Sequence, residues 1–152
     1  MDYKSKIILI AGPTASGKSK IAINLAKKIN GEIINADSMQ VYKQLKILTA
    51  RPSKKDQKNI KHHLFGVIDV WKRFSTGQWL KKCIKIINQI RKKNKTPIIV
   101  GGTGLYFKAL VDGLVSIPKF ELSEKNKILK LHKKLGQKQF YKKLVKLDPV
   151  SK

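Results

Sequence analysis

The sequence predicts an α/β fold: a parallel sheet flanked by helices, followed by the start of a basic helical attachment. Three observations predict it. Apolar runs and amphipathic stretches alternate over the first 115 residues, the pattern of strands joined by crossover helices. A glycine-rich turn sits between the first apolar run and the first amphipathic stretch. After Pro118 the pattern becomes wholly helical and strongly basic.

The elements follow in order. Ile7–Ala11 is an apolar run bounded by Gly12-Pro13 and predicts a buried strand. Lys18–Ile29 carries Ile21, Leu25 and Ile29 at helical spacing. Glu32–Ala36 reads as a second strand ending at Asp37, and Leu64–Val70 as a short third. Thr76–Lys92 places Trp79, Leu80, Cys83, Ile84, Ile87 and Ile90 on a helical stripe, and Pro97–Val100 is a short buried strand stopped by Gly101-Gly102. Beyond Pro118, Ile128, Leu131 and Leu135, then Phe140, Leu144 and Leu147, mark two helices joined near Gly136. The domain boundary is therefore expected at 116/117, with 1–116 an incomplete core and 117–152 the start of a helical insertion. The sequence stops at Asp148-Pro149-Val150-Ser151-Lys152 without a closing element, so a C-terminal truncation is expected.

Composition sets limits. A hydrophobic content of 41% is that of a globular core and excludes a disordered chain. No apolar run reaches the roughly 20 residues of a membrane span. The N-terminal residues lead directly into a strand, so no signal peptide is expected. A lone Cys83 rules out an internal disulfide, suits a reducing cytoplasm, and in its helical setting reads as a packed thiol. The formal charge of +25 comes from 34 Lys+Arg against 9 Asp+Glu, with Arg51, Arg73 and Arg91 the only arginines. Such a field attracts polyanions, nucleic acid first among them. A solvated lysine-rich surface is the plainer alternative.

Gly12-Pro13-Thr14-Ala15-Ser16-Gly17-Lys18-Ser19 is a complete phosphate-binding loop, G-x-x-x-x-G-K-[ST]. Between a strand and a helix N-terminus it aims backbone N–H groups at one point. Lys18 adds a positive charge, and Ser19 a hydroxyl suited to Mg²⁺. The loop alone leaves open whether the phosphates belong to ATP or to another diphosphate. The core is thus expected to be P-loop NTPase-like. In such sheets ligands collect beyond the carboxyl ends of the strands, so the loop, Asp37 and Gly101–Gly104 are expected to face one crevice.

Asp37 could act as a general base or hold a metal through water, or simply cap the next helix. Gln40 could read the edge of a base. Gly101-Gly102-Thr103-Gly104 lets backbone approach a ligand and offers one hydroxyl, or forms a plain strand-to-helix turn. This strand lacks the terminal acidic residue of a Walker B segment, which argues against a standard ATPase. His62-His63 has no third ligand at metal spacing and reads as structural or substrate-contacting.

Taken together, Gly12–Ser19, Asp37-Ser38-Met39-Gln40-Val41-Tyr42, Thr49–Pro52, His62-His63-Leu64 and Val100–Tyr106 resemble the tRNA dimethylallyltransferase family in order and spacing. Asp148-Pro149 matches the start of a further family segment. The resemblance implies transfer of a dimethylallyl group from its diphosphate to the exocyclic amine of an adenosine beside the anticodon. Gly12 to Ser19 would bind the donor diphosphate, with Mg²⁺ on Ser19. Asp37 would take the amine proton, Thr103 would touch the reacting region, and Asp37, Ser38, Met39, Gln40 and Thr103 would contact the tRNA. The family places a tRNA-contacting arginine beyond Pro118, for which Lys125 is the nearest match. Leu48 and Arg51 stand where the family usually has Gly and Lys. The partners implied are the tRNA anticodon arm and dimethylallyl diphosphate, with no membrane, a monomeric state and a cytoplasmic location. Family members are considerably longer, so this sequence is expected to be an N-terminal portion. A P-loop small-molecule or nucleoside kinase, and an inert fragment of the transferase, are the alternatives.

Overall fold

In the computed structural model, residues 6–115 and 121–150 are described. The elements are β1 (Ile8–Ala11), α1 (Lys18–Lys28), β2 (Gly31–Asn35), β3 (His62–His63), α2 (Thr76–Arg91), β4 (Thr96–Gly101), α3 (Gly104–Asp112) and α4 (Leu122–Leu147). All four strands run parallel in the order β1-β4-β2-β3. The α/β expectation holds, and the chain divides into two compact units, Met1–Leu114 and Val115–Lys152.

The two central strands are buried along their whole length, as apolar strands are when helices cover both faces of a parallel sheet. Alternation assigns the faces. Ile33, Ile98 and Val100 meet Ala22, Ile23 and Ala26 of α1. Ile34 and Ile99 meet Trp79, Cys83, Ile87 and Ile90 of α2 and Tyr106 of α3. Trp79 is fully buried, stacks on Tyr106 with ring centroids 4.3 Å apart, and donates its indole N–H to the Asn35 carbonyl at 2.8 Å. Burial pushes the Cys83 thiol up to about 12, so it stays a packed, protonated thiol. Helix α2 starts at a capping box: Ser75 Oγ accepts from the Gln78 N–H and Gln78 Oε1 accepts from the Ser75 N–H.

The third strand is two residues long and lies earlier than Leu64–Val70. Its ladder is Ile33 with His62 and Ile34 with His63. Leu64 and Gly66 then take positive φ values of 62° and 58°, which turn the chain out of the sheet. The chain then meets the segment after β2, with Gly66 and Val67 donating to the Gln40 and Val41 carbonyls and Ile68 forming an isolated parallel bridge with Tyr42. In the second unit, Gly136 (φ 69°, ψ 166°) interrupts α4 and makes two helical segments, as the apolar spacing anticipates. None of its residues is buried. His132 and Phe140 meet edge-on across the break at 4.9 Å. The Ile117-Pro118 change of pattern lies outside the described residues. No described helix is long and apolar enough to cross a membrane.

Two contacts on β2 fix the sheet. Glu32 is buried, accepting from His63 Nε2–H at 2.7 Å and pairing with Lys95 at 3.1 Å. Burial raises its carboxyl, but the bonds from His63 and Lys95 outweigh that and hold it below its ordinary value. For His63 burial dominates and lowers it, against the pull of Glu32. At the other end, Gly101 lies so close to β2 that a Cβ there would sit 2.1 Å from the Ala36 carbonyl oxygen.

Both pKa values are depressed in the folded state, so their stabilisation is present at neutral pH and lost on acidification. The chain is expected to melt at a lower temperature at pH 5 than at pH 7.5, because His63 gains a proton more readily when unfolded, near its ordinary 6.5. His63→Gln should shrink that difference. Gly101→Ala forces backbone apart where no side chain can yield, and should cost about 3 kcal/mol in urea unfolding.

Candidate active site

The phosphate loop owes its shape to two left-handed residues. After β1 the chain turns through Ala15 (φ 64°) and Gly17 (φ 78°), and Gly17 caps α1 without any side-chain hydrogen bond. The first-turn N–H groups of α1 therefore have no side-chain cap, as an anion-binding helix terminus requires. No acidic residue occupies that first turn. Lys18 Nζ folds back onto the Pro13 carbonyl and lies 3.5 Å from Ser16 Oγ. The loop's cation is thus held over its own backbone.

Thr14, Ala15, Ser16, Gly17, Lys18 and Ser19 line one side of a cavity of about 640 Å³. Asp37, Met39 and Gln40 line it from the end of β2, and Leu48, Thr49, Ala50, Pro52, His62 and Gly101 are also in its wall. The crevice expected from strand ends is therefore present, and it joins the loop with Asp37. Asp37 Oδ1 accepts from the Met39 and Gln40 N–H groups at 2.8 and 3.3 Å, an Asx turn that fixes the carboxylate.

Thr103 Oγ1 accepts from the Ser38 N–H at 2.9 Å and donates to Ser38 Oγ at 3.2 Å, and neither residue lines the cavity. Gln40 lines it, but its Nε2 donates to the Thr49 carbonyl at 2.8 Å, tying the loop after β2 to the Thr49–Pro52 segment. Arg51 donates to the Tyr42 and Lys43 carbonyls at 3.1 and 3.2 Å, and packs where a Cβ on Gly66 would be. The close approach of the Gly101-Gly102 turn is to protein backbone: Gly101 to Ala36, and Gly102 to the Gly12 carbonyl. Lys125 is exposed on α4 in the second unit.

The two histidines face different ways. His62 lines the cavity and donates Nδ1–H to the Ile60 carbonyl at 2.8 Å; burial lowers its pKa, which favours the neutral ring. His63 pairs with Glu32. No three His, Cys, Asp or Glu side chains among the described residues form a metal cluster.

Sequence reasoning missed Asn35. It is fully buried at the end of β2, and its side chain makes three bonds. Nδ2 donates to the Asp37 carbonyl at 3.0 Å and the Leu64 carbonyl at 3.2 Å, and Oδ1 accepts from the Asp37 N–H at 3.0 Å. The available signal was an amide closing an otherwise apolar Ile33-Ile34-Asn35-Ala36 run.

A parallel sheet with a glycine-rich loop between β1 and α1, facing a carboxylate across a cavity, defines a P-loop α/β protein. The IPP transferase family model matches residues 40–152. The chain belongs to the IPP transferase family. It is 67% identical to the tRNA dimethylallyltransferase of Pelagibacter ubique (strain HTCC1062), over 98% of this chain and 48% of that protein. Among solved structures it is similar to the full-length tRNA isopentenylpyrophosphate transferase from Bacillus halodurans, with 33% identity and a TM-score of 0.73 over 96% of this chain and 48% of that one. A eukaryotic dimethylallyltransferase acting on tRNA gives 35% identity and a TM-score of 0.81 over 94% and 36%. The chain spans about half the length of the curated relatives it matches.

Replacing Asn35 by Leu leaves the Leu64 carbonyl and the Asp37 backbone without their buried partners. A loss of about 3 kcal/mol in chemical unfolding is expected from those unmet groups. Asn35→Asp, which keeps the acceptor but turns a second carboxylate oxygen toward the Asp37 and Leu64 carbonyls, should lose at least as much.

Proposed function

We propose that this chain carries the donor-binding and reacting half of a tRNA dimethylallyltransferase. The observation that supports it best is the single cavity shared by the phosphate loop and Asp37. The donor's diphosphate lies in the loop from Gly12 to Ser19, on the backbone N–H groups and the Lys18 ammonium, which swings from the Pro13 carbonyl. The exocyclic amine of an adenosine attacks the allylic carbon of dimethylallyl diphosphate. A C–N bond forms, the C–O bond to the diphosphate breaks, and the amine proton passes to Asp37 Oδ2, since Oδ1 is held by Met39 and Gln40.

Negative charge grows on the departing diphosphate, and the loop's donors meet it where it develops. Ser19, a hard oxygen donor lining the cavity, would hold Mg²⁺ there. When bound, that ion supplies further neutralisation of the leaving group. Thr103 acts as a positioning residue through Ser38. Met39 and Gln40 flank the adenine, which must leave its stack at a cost of a few kcal/mol that pocket contacts offset. Lys125 and the other α4 lysines hold phosphates of the anticodon arm. The relatives give no support to a kinase reading. We place the protein in the cytoplasm as a monomer.

The test is incubation with unmodified tRNA, labelled dimethylallyl diphosphate and Mg²⁺, with label sought in the RNA. Asp37→Asn should lower transfer by about a hundredfold or more with donor binding kept. Lys18→Met should weaken donor binding about tenfold or more, as loss of one charge-assisted contact does. Tight uptake of ATP with indifference to the five-carbon donor would overturn the reading.

A further inference from the structure

A second groove, of about 400 Å³, shares no residue with the phosphate cavity. Its walls carry Lys72, Arg73, Lys81, Lys82 and Lys85, over a floor of Ile68 and Phe74. No carboxylate lines it among the described residues. Lys81 and Lys85 stand one helical turn apart on α2, a like-charge spacing that destabilises a helix, and α2 has no acidic residue to relieve it. The nearest acid in sequence, Asp69, is engaged by Lys43 at 3.8 Å and by Gln44.

Next to Lys72 in the chain stands Trp71, 87% exposed. By contrast Phe74, three residues on, packs against the core. Trp71 does not itself line the groove, but it directly precedes Lys72 and Arg73, which do. An exposed ring next to cations suits unpaired nucleotides, with the cations taking the phosphates and the ring a base. An acidic peptide would satisfy the charge but leave the ring unused.

We propose that this groove holds a single-stranded segment of RNA, with phosphates on the five cations and an unpaired base stacked on Trp71. The proposal rests on the reading of RNA as the partner and adds a surface away from the donor cavity.

Anisotropy of a labelled oligouridine with the full 152-residue chain, titrated across a salt series, tests it. Lys81→Gln/Lys82→Gln/Lys85→Gln removes three phosphate contacts. It should lower the slope of log affinity against log salt by about 2, a loss of about a hundredfold at 0.1 M salt. Trp71→Ala should weaken binding about tenfold and leave the slope unchanged. Since Trp79 is buried, quenching of tryptophan emission by the oligomer should vanish in Trp71→Ala. Dimethylallyl diphosphate binding should be unchanged in both variants, which separates failure here from failure of the transferase reading. The proposal is overturned if both variants bind RNA as the parent does. It is equally overturned if the control Lys54→Gln/Lys55→Gln/Lys58→Gln loses as much, or if polyglutamate binds as tightly as RNA and ignores Trp71.

Discussion

The site depends on one backbone contact, the approach of β4 to the end of β2 at Gly101 and Ala36. No side chain fits between them. The Ala36 N–H donates to Val100, the Thr103 N–H donates back to Ala36, and Gly102 lies beside the Gly12 carbonyl. Three strand ends therefore converge at one crevice: the phosphate loop enters from β1, Asp37 from β2 and Gly101 from β4, while Thr103 stands behind the wall on Ser38. A sheet splayed by one methyl group at residue 101 would separate the anion cradle from the carboxylate that faces it.

Polar groups in β2 divide the labour between its two ends. Glu32, buried and bonded to His63 and Lys95, couples β2 to β3 and to the segment before β4. Asn35, at the other end, holds the backbone of Asp37 and the chain after β3. Among the described residues every buried side-chain nitrogen or oxygen has a partner. In a low-dielectric interior such networks restrict the chain to one arrangement, since any slip strands a desolvated group. Arg51 does similar work at the surface by gathering the Tyr42 and Lys43 carbonyls over Gly66. Its planar fork reaches two carbonyls at once, which a lysine ammonium would do with less geometric constraint.

The charge of the chain acts on a different scale from these contacts. An excess of 25 positive charges sets a long-range field that draws polyanions to the whole surface. What would convert attraction into a site is local: the uncapped N–H groups at α1 in the proposed diphosphate site, and the cation-lined groove in the proposed RNA site. Lysine abundance by itself distinguishes neither.

Much of the architecture was legible because it is local. β1, α1, β2, α2 and β4 lie within one or two residues of the apolar runs and helical stripes that predict them, and Gly136 breaks α4 where the pattern changes phase. The phosphate loop was readable as eight consecutive residues because a loop of this kind is built from its own backbone N–H groups. The third strand was misplaced, since two residues make a strand only through pairing with Ile33 and Ile34. Asn35 escaped notice for the same reason: one of its partners, Leu64, lies 29 residues away along the chain. Periodicity and backbone chemistry are properties of neighbours in sequence, and they determined the fold class and the anion cradle. Which side chains ended in the cavity and which became its scaffolding was decided only when distant strands met, because hydrogen-bond partners are chosen by position in space.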